Sequence, residues 1–226
     1  MTATPSVVIP VLNEASGIAA SLQALAPLAQ RSAQLIVADG GSTDGTADRA
    51  QAGGAQLVSA PLSRALQMNA GALQATGDVL LFLHADTLLP PDADRLICQA
   101  LATGPQVWGR FDVRIDGRHR LLRVIALLMN LRSRWTGIAT GDQAMFMSRA
   151  AFDAVGGFPV QPLMEDVEMS RRLLRLSRPA CLRAQVLTSG RRWESGGVWR
   201  TMLLMWRLRF AYWRGVSPVR LAALYR

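Results

Sequence analysis

The chain predicts an α/β fold built on a parallel, doubly wound sheet, and three observations carry that expectation. Short apolar runs alternate with segments of helical periodicity through the first hundred residues. Acids close or follow apolar runs at Asp39, Asp86 and Glu165-Asp166. In open sheets of this kind ligands bind outside the carboxyl ends of the strands, where such acids would lie. Three such acids in one small domain suggest a nucleotide, a metal ion and a proton acceptor brought together.

Residues 6–11 read as a buried strand, and Ile18, Leu22 and Leu25 recur at helical spacing, with the helix ending before Pro27. Residues 34–38 form a second strand, after which Asp44 is placed to cap the helix that follows Gly45. A third strand spans 55–59, a helix 63–75 and a fourth strand 79–84. Pro90-Pro91 turns the chain into a helix over 92–102. Beyond that the pattern is less regular. Phe111, Val113 and Ile115 alternate with Arg110, Asp112 and Arg114 in a half-exposed strand. Residues 120–132 and 166–176 read as helices, and 144–148 as a short strand. No repeat or low-complexity linker interrupts the chain, so one domain with two unequal lobes is expected.

At 226 residues and 50% hydrophobic, the chain can bury a sizeable core. All 25 basic residues are Arg, and 13 of them lie beyond Ser170, where Glu194 is the only acid. That basic third could face lipid headgroups, nucleic acid or donor phosphates; no nucleic-acid motif accompanies it, so nucleic acid is not an expected partner. Cys98 and Cys181 lack metal-binding spacing and read as isolated thiols. Met1-Thr2-Ala3-Thr4-Pro5-Ser6 shows no charged leader. No uncharged apolar run reaches the roughly 18 residues of a membrane span. The expected location is the cytosol, with attachment to the inner face of a membrane left open.

Asp39 enters a Gly-Gly-Ser-Thr-Asp-Gly turn, where glycines let backbone approach a ligand and a carboxylate can accept from a base or ribose. The plain alternative is a strand-to-helix turn that Asp39 helps to close. Asp86 suits a divalent ion bridging a pyrophosphate, since phosphate and water fill the other positions. His84 projects to the same side if the strand persists, as a second ligand, a donor to phosphate or a structural residue. Glu165-Asp166 follows a Gly156-Gly157 elbow and opens a helix; one acid can face a reacting hydroxyl, or both can simply complement the helix dipole.

These residues resemble glycosyltransferase family 2, with the GT-A fold of nucleotide-diphospho-sugar transferases. The likeness runs from Val8-Ile9-Pro10-Val11-Leu12-Asn13-Glu14 to the region of Arg191-Arg192-Trp193. It is nearest to the small bacterial branch described as radical-SAM/selenodomain-associated transferases, through Arg64-Ala65-Leu66-Gln67-Met68-Asn69, Phe82-Leu83-His84-Ala85-Asp86-Thr87, Gly141-Asp142-Gln143 and Met164-Glu165-Asp166-Val167-Glu168. The resemblance implies a Rossmann-like, mostly parallel sheet flanked by helices, an irregular acceptor-side half and C-terminal helices. It divides the chain into a nucleotide-binding half (1–104), an acceptor and catalytic half (105–195) and a helical segment (196–226).

By the same resemblance, Asp39 meets the nucleobase, Asp86 holds Mg2+ or Mn2+ as the last acid of an Asp-x-Asp motif, and Asp166 is the base beside Glu165. Pro10, Asn13, Glu14, Arg64, Asn69, His84, Ala85 and Arg192 fall on the donor side, and Gly141, Asp142 and Gln143 on the acceptor side. Two positions depart from the family pattern. His84 stands where the motif's first acid would be, and Ser189-Gly190-Arg191-Arg192-Trp193 lacks the Gln of the processive motif. The implied reaction is inverting transfer from a nucleoside-diphosphate sugar to an acceptor hydroxyl. A nucleotidyltransferase is disfavoured because Pro10–Glu14 replaces a Gly-rich phosphate loop; a non-catalytic nucleotide-sugar binder is motivated by His84. Trp199, Leu203, Trp206, Phe210 and Trp213 make a helical stripe with arginines off it, suited to packing, to a homodimer, or to a membrane surface and a lipid-linked acceptor.

Overall fold

The computed structural model describes residues 4–225, so Met1, Thr2 and Ala3 of the leader expectation, and Arg226, lie outside the described residues. The first half runs β1 (Pro5–Val11), α1 (Ile18–Gln30), β2 (Gln34–Asp39), α2 (Thr46–Ala52), β3 (Gln56–Ser59), α3 (Arg64–Gln74), β4 (Val79–Phe82), β5 (Thr87–Leu88) and α4 (Ala93–Ala102). The second runs β6 (Trp108–Asp116), α5 (Leu121–Thr136), a 3-10 turn (Gly141–Gln143), β7 (Phe146–Ser148), α6 (Arg149–Ala154), α7 (Glu165–Leu173), β8 (Ala180–Ser189), α8 (Arg191–Gly196), α9 (Val198–Trp213) and α10 (Pro218–Tyr225).

The strands form one sheet in the order β3-β2-β1-β4-β7-β6-β8-β5. The first four are mutually parallel, β6 and β8 are parallel, and β7 pairs antiparallel with both β4 and β6. Strand alternation sends Val7 and Ile9 to one face and Val8 to the other. On the first face they join Leu22 and Leu25 of α1, Ile97 of α4 and Ile125 of α5. On the second, Val8 and Ile36 meet Met68 and Ala72 of α3, Phe152 of α6 and Leu173 of α7. A sheet covered on both faces explains why β1 reads as an unbroken apolar run. The close seating of α3 depends on Gly71, where an added Cβ would fall 2.4 Å from Val8 Cγ1.

Several expectations are corrected. Helix α1 continues through Pro27, because Leu28 extends the buried stripe and is 1% exposed. Strand β4 ends at Phe82, which puts His84 and Asp86 in a loop rather than on a strand. The strand over β6 is not half-exposed throughout: Arg110 is fully buried, bonded to Asp112 and to the Asn130 carbonyl. Asp44 does cap α2, accepting from Thr46 N at 3.0 Å, although Gly45 occupies the boundary position itself. No helix among the described residues is long and apolar enough to cross a membrane.

The Asp94 carboxylate receives Arg31 Nε at 2.7 Å and Nη2 at 2.8 Å, tying α4 to the end of α1. The Arg31 hydrogen bond holds the Asp94 carboxyl below its ordinary value of 3.8. Because the folded value lies below the unfolded one, this contribution is present in full above the unfolded pKa and is lost as pH falls through the folded value. Asp94→Asn is therefore expected to flatten the acid-side fall in urea midpoint; an unchanged slope would show that the pair contributes nothing.

Candidate active site

The strand order places a topological switch between β1 and β4. The chain moves outward from β1 to β2 and β3, then crosses to the far side of β1 for β4. The crevice at their carboxyl ends is where an open α/β sheet accepts a ligand. A pocket lies there, lined by Pro10 of β1, Arg64 and Met68 of α3, His84, Gly141, and the Glu165-Asp166 pair of α7.

Three of the four non-glycine residues at positive φ among the described residues flank this crevice: Asn13 (φ 53°), Ala144 (φ 46°) and Met164 (φ 65°). Left-handed backbone at such residues costs about 1–2 kcal/mol each and persists where surrounding structure enforces it. Met164 immediately precedes the two acids and delivers them into the first turn of α7. Asp166 Oδ2 accepts from Gly141 N at 2.9 Å, and Oδ1 from Val167 N at 2.7 Å. Glu165 is buried, with Arg64 Nη1 3.6 Å from its Oε1. Burial, and then the charge of Asp166, push the Glu165 carboxyl up against the opposing pull of Arg64.

His84 Nδ1 lies 3.3 Å from Asp142 Oδ1. Its Nε2 packs against Gly141, where any Cβ would sit 2.3 Å away. Both ring nitrogens therefore face the 141–142 segment. Desolvation raises the Asp142 carboxyl, but the His84 hydrogen bond, with the charges of His84, Arg64 and Arg192, outweighs it and holds the group below its ordinary value. Arg192 in turn stacks over the Tyr225 ring at 3.9 Å, so α10 reaches this cluster.

Asp86 belongs to the adjoining mouth. Arg191 Nη2 is 3.9 Å from both Asp86 Oδ2 and Glu14 Oε2. Burial, followed by the charge of Asp86, raises the Glu14 carboxyl. Further along the edge, Asn13 Oδ1 accepts from Thr43 N, and Ser42 Oγ accepts from Asn13 N at 2.9 Å. The Asp39 carboxylate is engaged by its own turn, accepting from Gly41 N at 3.1 Å, Ser42 N at 3.0 Å and the Ser42 hydroxyl. Contacts thus link the Asp39 turn to Asn13, Glu14 through Arg191 to Asp86, and His84 through Gly141 to Asp166, while Asp86 and His84 are joined only by the chain between them.

Other candidates serve the scaffold in this geometry. The Asn69 amide is spent on Phe158, donating to its carbonyl at 2.9 Å and accepting from its N–H at 2.8 Å. Gln143 is fully buried and closes the 3-10 turn through Thr140 and Ser133. Ala85 is buried, its carbonyl taken by the Ser21 hydroxyl. Sequence reasoning did not single out Arg191, Tyr225 or Arg132; Arg191 had one signal, its place beside Arg192. Among the described residues no three metal-ligating side chains cluster.

Comparison with known proteins places this geometry. The model for glycosyl transferase family 2 matches residues 6–158. Succinoglycan biosynthesis protein ExoA of Rhizobium meliloti (strain 1021) is 38% identical over 119 residues, 46% of this chain and 35% of that protein. The chain thus spans about a third of that relative's length. Glucosyl-3-phosphoglycerate synthase of Mycobacterium tuberculosis, solved with Mn2+, UDP and glucosyl-3-phosphoglycerate, superposes with a TM-score of 0.63 at 25% identity, over 82% of this chain and 71% of that one. The same synthase with Mg2+ and UDP gives a TM-score of 0.62 at 24% identity, over 82% and 70%. With a match across most of its length, the chain belongs to glycosyl transferase family 2.

Proposed function

We propose that this chain is an inverting glycosyltransferase that moves a sugar from a nucleoside diphosphate to an acceptor hydroxyl, with Asp166 as general base. The observation that carries the reading is the seating of Asp166, Glu165, Arg64 and His84 around one pocket at the β1/β4 switch. A similar structure holds UDP and Mn2+, which supports a uridine nucleotide and a divalent cation here.

In this reading Asp166 takes the proton from the acceptor hydroxyl. The freed oxygen pair attacks the anomeric carbon, and the bond to the diphosphate breaks on the opposite face, so one displacement inverts the centre. Gly141 N–H holds the Asp166 carboxylate in place, and the buried Glu165 holds Arg64 beside it. Arg64, Arg191 and Arg192 offer positive charge to a departing diphosphate in a site that excludes part of the solvent.

Asp86 and Glu14, which share Arg191 as a neighbour at 3.9 Å, are the carboxylates that would hold a hard cation keeping phosphate and water as its remaining ligands. When bound there, such an ion supplies charge neutralisation on the leaving diphosphate. Asp39, whose oxygens are already engaged by the turn, supports base recognition by shaping the 40–43 backbone. The 1–104, 105–195 and 196–226 segments then serve as donor half, acceptor half and helical closure.

Calorimetry with UDP, in Mg2+ and in Mn2+, followed by turnover of a panel of nucleotide sugars, tests the proposal. Asp86→Asn is expected to weaken metal-dependent UDP binding about tenfold or more, as loss of a charged ligand would. Tight UDP binding without turnover of any donor would favour a non-catalytic binder. Binding of no nucleoside diphosphate at all would overturn both.

A further inference from the structure

A second hollow, of ≈ 160 Å³, opens between α5, α7 and α9. Arg132 and Thr136 of α5, Arg171 of α7, and Arg209, Tyr212 and Trp213 of α9 line it, and no acid does. Nε and Nη2 of Arg132 are buried without a hydrogen-bond partner. Burial pushes this guanidinium down to about 10, with Asp166 opposing the shift and Arg110 adding to it. Arg171 lies over the Tyr212 ring, 5.6 Å from its centroid, and is thereby held at the rim. The nearby acid on α7, Glu168, accepts from the Tyr212 hydroxyl at 3.4 Å and pairs with Arg172. Three guanidinium groups around one hollow repel each other, and orphaned buried donors are costly. An oxyanion answers both conditions, because charge-assisted bonds to guanidinium are short and strong.

Position ties the hollow to the chemistry. Asp166 lines the first pocket and its charge acts on Arg132 of the hollow, while Arg171 follows it on α7. A small molecule could present a hydroxyl to Asp166 and a charged group to the arginines at once. Exposed apolar side chains stand on both sides, including Leu131 and Trp135 of α5 and Trp206 and Phe210 of α9. The charged group could therefore belong to a soluble ester or to a lipid headgroup.

We propose that this hollow is an acceptor-side seat for an oxyanion, a phosphate or carboxylate on the molecule whose hydroxyl faces Asp166. Its acceptor role rests on the transferase reading; the seat itself stands on the three arginines alone.

The test titrates phenyl phosphate into the full chain in phosphate-free buffer, and in parallel sediments the chain with phosphatidylcholine vesicles with and without phosphatidic acid. Arg132→Gln and, separately, the paired Arg171→Gln and Arg209→Gln substitutions are expected to weaken whichever ligand binds about tenfold or more, while UDP affinity stays unchanged. Arg132 has buried atoms, whereas Arg171 is exposed and Arg209 only half-buried, so the paired variant remains informative if Arg132→Gln fails to fold. Binding of phenyl phosphate assigns a soluble acceptor, and binding of phosphatidic acid vesicles alone assigns a lipid headgroup; both support the seat. Binding of neither, or binding untouched by the substitutions, overturns it. Titration of the same samples with UDP and the other nucleoside diphosphates keeps the two readings apart: phosphate binding without binding of any nucleoside diphosphate would remove the transferase and leave the seat, and the reverse would remove the seat alone.

Discussion

Asp166→Asn is expected to transfer sugar about 10²–10⁴-fold more slowly than the parent, the range lost with a positioned general base, while UDP binds nearly as before. The geometry supports this separation. Asp166 Oδ2 is fixed by Gly141 N–H, whereas Arg64 pairs with Glu165, and Arg191 with Glu14 and Asp86. An amide at position 166 keeps the size of the side chain but must turn its NH2 toward one of two backbone N–H groups, Gly141 or Val167. That local cost is about one hydrogen bond, roughly 1 kcal/mol, and does not explain a loss of several orders of magnitude. Single-turnover transfer and UDP calorimetry on one preparation read the two quantities. A variant that turns over at the parental rate would remove Asp166 from the base role.

The second large effect concerns stability. Asp112→Ala is expected to destabilise the fold by about 3–5 kcal/mol, because it strands a buried cation. Arg110 is 0% exposed, and its charge is met by Asp112, which also receives Arg134 Nη2 at 2.6 Å. Arg110 Nη2 also donates to the Asn130 carbonyl, but its Nε has no partner and no second carboxylate pairs with it among the described residues. Replacing the pair together, Arg110→Met with Asp112→Leu, should cost less, since the fully buried cation is removed with its partner and only the partly exposed Arg134 loses an ion pair. Urea unfolding of the single and double variants gives the comparison. A single variant within 1 kcal/mol of the parent would mean that water reaches Arg110.

The contrast between Arg110 and its neighbours shows what could be read in advance. Val7, Val8 and Ile9 announced a strand because both faces of β1 are covered, and Asp44 announced a cap through its place before a glycine. Arg110 gave the opposite signal: an alternating Arg, Asp, Arg pattern reads as solvent-facing until the partner of the charge is known. Strand β8 was faint for a related reason. Leu182, Arg183, Ala184, Gln185 and Val186 do alternate, but only Val186 and Thr188 of the ten residues are buried, so the apolar signal is weak. The end of α1 was misjudged because a proline is read locally, whereas burial of Leu28 is a tertiary fact.

Within the site, residues carried by motifs and those revealed by geometry divide in a similar way. The motif spacing pointed to Glu165-Asp166, Arg64 and His84, which do line one pocket. It could not separate side chains that face the cleft from those that build it. Asn69 and Gln143 sit in the same motifs, yet their amides are consumed by Phe158, and by Thr140 and Ser133. Arg132 was invisible for the converse reason: in sequence it merely ends an amphipathic helix, and only the fold of α7 and α9 across it creates a hollow.

The crowding of arginines on the last third of the chain also bears on how fast an anionic substrate arrives. Guanidinium groups keep their proton at any pH a cell offers, so the field around α8, α9 and α10 does not vary with pH there. Diffusing diphosphates are drawn toward such a surface, and ionic strength governs the draw, since a screening length of about 8 Å at physiological salt shrinks to about 3 Å at 1 M. Encounter, more than the chemical step, is where added salt would first be felt.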